Sequence, residues 1–263
     1  MKSSQIMIQL NQVSFHYPQQ TPVFDGFDWR VRQGEAWAVL GPSGCGKSTL
    51  LYLLAGLRFP QSGEILINQA RLTKPRPHTG LILQDFGLLP WATVFENASL
   101  GLRLRRFYGP DGRHAPAEAE IRDVEGRADH WLDRLGMSEF RHKYPGQISG
   151  GQRQRTAIAR TLATDPDLLL MDEPFASLDA PTRQSLGRLV RSLRQEAGLT
   201  TIIVTHAIEE AARLGERILV LGPPPNLSPQ VVENPGAAVE GYSQSGEYLS
   251  LCTQLRGMLE PAL

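Results

Sequence analysis

The stretch Gly41-Pro42-Ser43-Gly44-Cys45-Gly46-Lys47-Ser48-Thr49 decides how this chain is read. It follows an apolar run from Gly34 to Leu40 (GEAWAVL) and opens a leucine-rich segment, Gly46 to Leu57, expected to be a helix. Strand, G-x-x-x-x-G-K-[ST] and helix in that order make a phosphate-binding loop. Glycines let successive backbone N–H groups turn inward on phosphate oxygens, and the helix N-terminus adds partial positive charge. Lys47 is placed to reach the β- and γ-phosphates of a nucleotide. The Ser48 hydroxyl is placed to bind Mg²⁺.

A second stretch narrows the chemistry. Leu168-Leu169-Leu170-Met171-Asp172-Glu173-Pro174 is a short apolar run that ends in two acids. It reads as a buried central strand with Asp172 and Glu173 at its C-terminal end, where ligands bind in parallel α/β sheets. Asp172 is expected to hold the Mg²⁺ shell. Glu173 is expected to polarise a water for attack on the γ-phosphate.

The rest of the composition sets bounds. The chain has 263 residues, 27 Lys and Arg against 27 Asp and Glu, 41% hydrophobic residues and 21% charged residues. Those values are globular and argue against wholesale disorder. Zero net charge gives no electrostatic reason to expect nucleic-acid binding, so no nucleic-acid partner is expected. Apolar stretches such as Leu50 to Leu57 fall short of the roughly 20 residues of a membrane span. The opening MKSSQIMIQLNQVSFHYP has no apolar signal core, and two cysteines, Cys45 and Cys252, make no disulfide framework. A cytosolic setting is the expectation.

Around these two stretches, strands alternate with helices. Ile6 to Phe15, Gly63 to Asn68, Gly80 to Leu83, Thr201 to Val204 and Arg217 to Leu221 read as strands, and Thr182 to Ala197 as a helix. The middle is mostly helical. Val94 to Arg106 reads as a helix ended by Arg105-Arg106-Phe107-Tyr108-Gly109-Pro110-Asp111-Gly112. Glu118 to Leu135 is periodic, with Ile121, Val124, Ala128, Trp131, Leu132 and Leu135 on one face, and Ser149 to Leu162 follows. The expected fold class is α/β: a P-loop core with an N-terminal antiparallel β subdomain and a helical insert at about 90–160. After Gly222-Pro223-Pro224-Pro225 the pattern weakens. Residues 226–263 are expected to be a short tail with one helical candidate, Glu247 to Leu259.

Ile148-Ser149-Gly150-Gly151-Gln152 completes a resemblance. Over residues 5 to 222 the chain resembles the nucleotide-binding subunit of an ATP-binding cassette (ABC) transporter, with the family's motifs in order. Ile148 stands where the family usually has Leu. The resemblance implies an ATPase acting with ATP and Mg²⁺. Tyr17 matches the aromatic that stacks on adenine, and Gln84 the glutamine that touches Mg²⁺ and water. Ser177-Leu178-Asp179 matches the loop that crosses a dimer interface, and His206 the histidine that contacts the γ-phosphate. Ser149, Gly150, Gly151 and Gln152 match the signature that covers the γ-phosphate held by a second copy. ATP then joins two copies and hydrolysis releases them.

Asp85 to Leu102 and the stretch from Tyr144 to Arg183 resemble the importers of nitrate, sulfonate, taurine and related solutes. That implies separate transmembrane permease subunits, a periplasmic or extracellular solute-binding protein, and a peripheral place on the cytoplasmic face of the membrane. Phe86 to Phe95, unusually apolar for a loop, is the expected permease-docking surface. The alternative is a soluble, non-transport ABC ATPase. Repair ATPases of that kind usually carry long coiled coils and translation factors two cassettes; this chain has no such heptad run and one P-loop.

Overall fold

The computed structural model describes residues 5–107, 123–239 and 241–259. Its strands are β1 Ile6–Phe15, β2 Phe24–Arg32, β3 Ala36–Leu40, β4 Ser62–Ile67, β5 Ala70–Arg71, β6 Thr79–Ile82, β7 Leu168–Asp172, β8 Thr200–Thr205, β9 Arg217–Val220 and β10 Gln230–Glu233. Its α-helices are α1 Lys47–Leu54, α2 Val94–Phe107, α3 Val124–Arg134, α4 Gly150–Leu162, α5 Ala180–Ala197, α6 Ile208–Leu214 and α7 Gly246–Leu259. Two compact units form. The first comprises 1–76, 170–173 and 189–263, the second 77–169 and 174–188.

In the first unit, β1 alternates enough to bury Met7, Ile8, Leu10, Val13 and Phe15. It pairs antiparallel with β2 (Leu10 opposite Trp29) and with β4 (Leu10 opposite Ile65), giving the order β2-β1-β4-β5. β2 and β5 extend the sheet beyond the strands read from the sequence. The second sheet of this unit runs β10-β9-β3-β8-β7. Parallel β3 is buried at all five positions and β8 at all six. That is why neither alternates with charged residues: a strand covered on both faces has no solvated side.

Helix α1 stops three residues short of the expected Leu57. Gly56 takes φ 71°, its N–H reaches the Leu53 carbonyl, and the Leu57 N–H reaches Tyr52 at 2.9 Å. This left-handed glycine ending satisfies the last carbonyls of the helix and turns the chain away.

Residues 226–259 are built into the first unit. β10 pairs antiparallel with β9, and α7 packs Tyr248, Leu251, Cys252 and Leu255 with Ala38, Leu40, Ala211, Ile218 and Val232. Two polar side chains make the junction. Asn234 donates to the Ala212 and Gly215 carbonyls, and Arg194 bridges Glu216 at 2.7 Å with both side chains buried.

In the second unit, α3 starts at Asp123, whose carboxylate accepts the Gly126 N–H. Val124, Ala128, Leu132 and Leu135 are buried as their spacing predicts. Ile121, His114 and the expected helix terminator Tyr108 to Gly112 lie outside the described residues. Helix α4 opens with a reciprocal cap: Ser149 Oγ accepts the Gln152 N–H, and Gln152 Oε1 accepts the Ser149 N–H at 2.8 Å. This motif satisfies two otherwise orphaned donors. Among the described residues no helix is long and apolar enough to cross a membrane.

Candidate functional site

The glycine-rich loop joins β3 to α1 in the first unit. Gly46 caps α1 at φ 107° with no side-chain cap, and a Cβ there would sit 2.4 Å from Val23 Cγ1. The N–H groups of the first helical turn therefore have no side-chain acceptor at the cap, the arrangement that receives an anion. Lys47 is buried, and its ammonium donates to the Gly41 and Pro42 carbonyls, each at 2.8 Å. The lysine is thus folded onto its own loop, and because these hydrogen bonds go to neutral carbonyls its charge stays available to phosphate. Cys45 is buried within the loop. Burial pushes its thiol up, against the pull of Lys47.

Ser48 Oγ donates to Asp172 Oδ1 at 3.2 Å, which sets the end of β7 against the start of α1. Burial pushes the Asp172 carboxyl up, and the Ser48 hydrogen bond opposes it. A positive ion against that carboxylate would relieve the cost of burying its charge. Glu173 follows at φ 44°, its N–H paired with the Val204 carbonyl of β8. A non-glycine residue in the left-handed region carries of order 1–3 kcal/mol of backbone strain. Glu173 Oε1 meets Nδ1 of His206 at 2.9 Å; the imidazole is largely exposed and the carboxylate mostly covered. A carboxylate and an imidazole at the ends of neighbouring strands form a pair able to hold and move a proton.

His206 has a support that the sequence reading missed. Glu210, buried on α6, accepts a hydrogen bond from the Thr205 hydroxyl, and that hydroxyl accepts the Ala207 N–H at 3.0 Å. The residues on both sides of His206 are therefore fixed from α6. The signal available in the sequence was Glu210 itself, an acid one helical turn beyond the histidine.

Tyr17 also lies in the first unit, half-buried after β1. Its ring meets Phe15 edge-on at 5.1 Å, with the Arg58 guanidinium 6.0 Å from its centroid. Its hydroxyl lies 3.2 Å from Thr49 Oγ1. The phenol thus touches the helix that carries the loop, which a reading of the ring face alone did not include. Tyr17→Ala is expected to weaken ATP binding by the ~1–3 kcal/mol of base–aromatic stacking. Tyr17→Phe is expected to lose less than about 1 kcal/mol, the size of a neutral hydrogen bond. Nucleotide titration of both variants separates ring from hydroxyl, and equal losses would exclude stacking.

Gln84, the signature and Asp179 lie in the second unit. Gln84 follows β6 and is exposed. The turn after it puts Phe86 at φ 67° and Gly87 at φ 56°. Arg160 of α4 donates to both of their carbonyls, at 2.9 and 2.6 Å, and Arg153 lies 5.8 Å from the Phe86 ring centroid. Farther along, buried Asn97 exchanges hydrogen bonds with the backbone of Leu89 and donates to Ala92 and Thr93. The segment is therefore held at both ends, leaving Trp91 73% exposed. Val94 is fully buried, and Phe95 packs under Arg141. The apolar surface is narrower than the span from Phe86 to Phe95. In the signature, a Cβ on Gly151 would lie 2.6 Å from Thr182 Cγ2. Asp179 caps α5 by accepting the Thr182 N–H at 2.7 Å, and hydrogen bonds from the Thr182 side chain and then its backbone hold the Asp179 carboxyl below the usual range.

Comparisons with known proteins identify the family. Residues 24–176 match the ABC transporter family. The chain is 43% identical over 195 residues to the taurine import ATP-binding protein TauB of Roseobacter denitrificans, covering 74% of this chain and 68% of that one. It is 38% identical over 230 residues to the aliphatic sulfonates import ATP-binding protein SsuB of Bacillus cereus, covering 86% of each. Among solved structures it resembles the ATP-binding cassette MJ0796, captured as a post-hydrolysis dimer with ADP and phosphate. The TM-score is 0.70 at 29% identity over 86% of this chain and 98% of that one. With its loop, paired acids and histidine set around one sheet end, and with these relatives, the chain belongs to the ABC transporter family.

Proposed function

We propose that this chain is the ATP-hydrolysing subunit of an importer for taurine, a sulfonate, nitrate or a similar small solute. One observation carries the reading: within one unit, Lys47 and Ser48 begin α1 while Asp172, Glu173 and His206 end adjacent strands, and Ser48 touches Asp172. Lys47 and the α1 amides bind the β- and γ-phosphates. Tyr17 orients adenine. Glu173 takes a proton from the attacking water, and His206 holds Glu173 in place and contacts the γ-phosphate. Gln84 senses the occupied site.

The donor set fits Mg²⁺. Ser48 and Asp172 offer hard oxygen atoms, and Mg²⁺ takes few protein ligands, completing its shell from phosphate and water. Among the described residues no cluster of three or more His, Cys, Asp or Glu could hold a metal. When bound, the ion supplies charge neutralisation at the β- and γ-oxygens.

The signature residues Ser149, Gly150, Gly151 and Gln152, with Asp179, face the nucleotide of a second copy. The dimeric state of MJ0796 supports this reading. The names of the taurine and sulfonate relatives, import ATP-binding proteins, support separate permease subunits; a solute-binding protein and a place on the cytoplasmic face of the membrane complete the proposal. Purified chain should release phosphate from Mg·ATP. Reconstituted in proteoliposomes with a permease and a solute-binding protein, it should drive ATP-dependent uptake of taurine or a sulfonate. Turnover without uptake of any small sulfonate or nitrate would exclude the importer reading.

Trp91 is the anchor of the permease contact. Exposed tryptophan on a preformed loop is the side chain most enriched at interface hot spots, with truncation costing about 2 kcal/mol or more. Trp91→Glu should therefore abolish co-purification with the permease while ATP binding and thermal stability stay as in the unaltered chain. Leu89 is a poorer probe, because its backbone is tied to Asn97. Retained co-purification of Trp91→Glu would remove the loop from the interface.

A further inference from the structure

Asn226 lies just after the proline run, at the start of the segment that the sequence pattern left without a role. Its side chain is buried and makes three hydrogen bonds. Nδ2 donates to the Cys45 carbonyl at 2.9 Å and to the Val23 carbonyl at 3.2 Å, and Oδ1 accepts the Gly222 N–H at 3.2 Å. The backbone joins in: Asn226 N–H donates to Val23, and the Asn226 carbonyl accepts the Asp25 N–H at 3.1 Å. One residue thus ties together the strand-β2 entrance, the phosphate loop and the exit of β9. The three bonds also fix which end of the amide is which, since the two carbonyls need a donor and the N–H needs an acceptor.

We infer that Asn226 is a positioning residue of the phosphate loop, aiming the Gly46 amide by holding the Cys45 carbonyl. This rests on the nucleotide-binding reading above. The reasoning is geometric. The peptide unit between Cys45 and Gly46 is planar and trans, so its C=O and N–H point in opposite directions. A carbonyl pinned toward Asn226 sends the Gly46 N–H away from it, into the mouth of the loop at the start of α1. The Cys45 carbonyl precedes the first helical acceptor, which is Gly46 bonded to Leu50 N–H at 2.8 Å, so α1 itself does not hold it. Gly46 is also pressed against Val23, whose carbonyl is the second acceptor of the same amide. Lys47 steadies the other side of the loop through Gly41 and Pro42. Asn226 supplies the side that Lys47 does not reach.

The test compares two buried asparagines of the first unit. Asn234 is buried like Asn226 and also donates two side-chain bonds to carbonyls, but those belong to Ala212 and Gly215, away from the loop. Asn226→Ala and Asn234→Ala are measured for thermal stability and for KM and kcat with Mg·ATP. Both should melt lower. Only Asn226→Ala should raise KM, by roughly tenfold, the size of one lost buried hydrogen bond, with kcat at saturation within about twofold. If Asn226→Ala does not fold, the uncharged and near-isosteric Asn226→Leu takes its place: it fills the site but loses the donors to Cys45 and Val23 and the acceptor for Gly222. An unchanged KM in the folded Asn226 variant, or an equal rise in Asn234→Ala, overturns the assignment and leaves the nucleotide reading intact. An unaltered chain that neither binds nor hydrolyses ATP removes that reading and this inference together.

Discussion

Glu173→Gln should lower ATP turnover by roughly 10²–10⁴-fold, the span that a positioned general base contributes, while ATP still binds. The substitution isolates basicity. Glutamine keeps an oxygen that can accept from His206 Nδ1, where the carboxylate now sits at 2.9 Å. It also occupies the same φ of 44° at about the same backbone cost. Neither the position of β7 nor its pairing with β8 at Val204 should change. Because nucleotide then persists, the variant should accumulate as an ATP-bound pair of copies. Gel filtration with and without Mg·ATP reads this directly. A single-copy elution volume under saturating nucleotide would count against the two-copy site, and undiminished turnover would dismiss Glu173 as the base.

Lys47→Met should weaken ATP binding by about 2–5 kcal/mol, roughly 30-fold to several thousand-fold, the cost of removing one partner from a buried charged contact. Methionine keeps the apolar stem that packs in the loop. The loss is therefore one of charge rather than of volume, though the Gly41 and Pro42 carbonyls also lose a donor. Arginine should not rescue it, since a planar fork does not replace a compact ammonium in a closed loop. Nucleotide titration checks both variants. Unchanged affinity together with unchanged turnover would end the assignment of this loop to phosphate.

What could be read beforehand follows from how local each signal is. β3, β7 and β8 are short apolar runs buried on both faces, and Ser149 with Gln152 announces a helix start within four residues. Such features need no partner to be recognised. β2 was missed because FDGFDWRVR mixes charge into every second or third place, as an edge strand with one solvated face does. β10 was missed because QVVE is four residues long and buries only Val232, too little for a pattern. The supports of the site were hidden for the same reason. Asn226 reaches back 181 positions to Cys45 and Arg160 back 73 to Gly87. Contacts of that span leave no periodicity in the sequence. Tyr17 was visible as a ring, but its hydroxyl partner Thr49 was not.

The way the first unit is assembled from three separated stretches has a consequence for synthesis. Every residue of the second unit has been made once the ribosome passes Arg188. The sheet that carries the phosphate loop still lacks β8, β9 and β10, and Ala38 and Leu40 stay uncovered until α7 emerges. β1, β2, β4 and β5 pair among themselves, but at ~5–20 residues per second β3 waits roughly ten to forty seconds for those partners. During that interval β3, apolar on both faces, is a sticky edge. Completion of the sheet that carries the nucleotide loop thus trails completion of the second unit by the synthesis of the residues after Arg188.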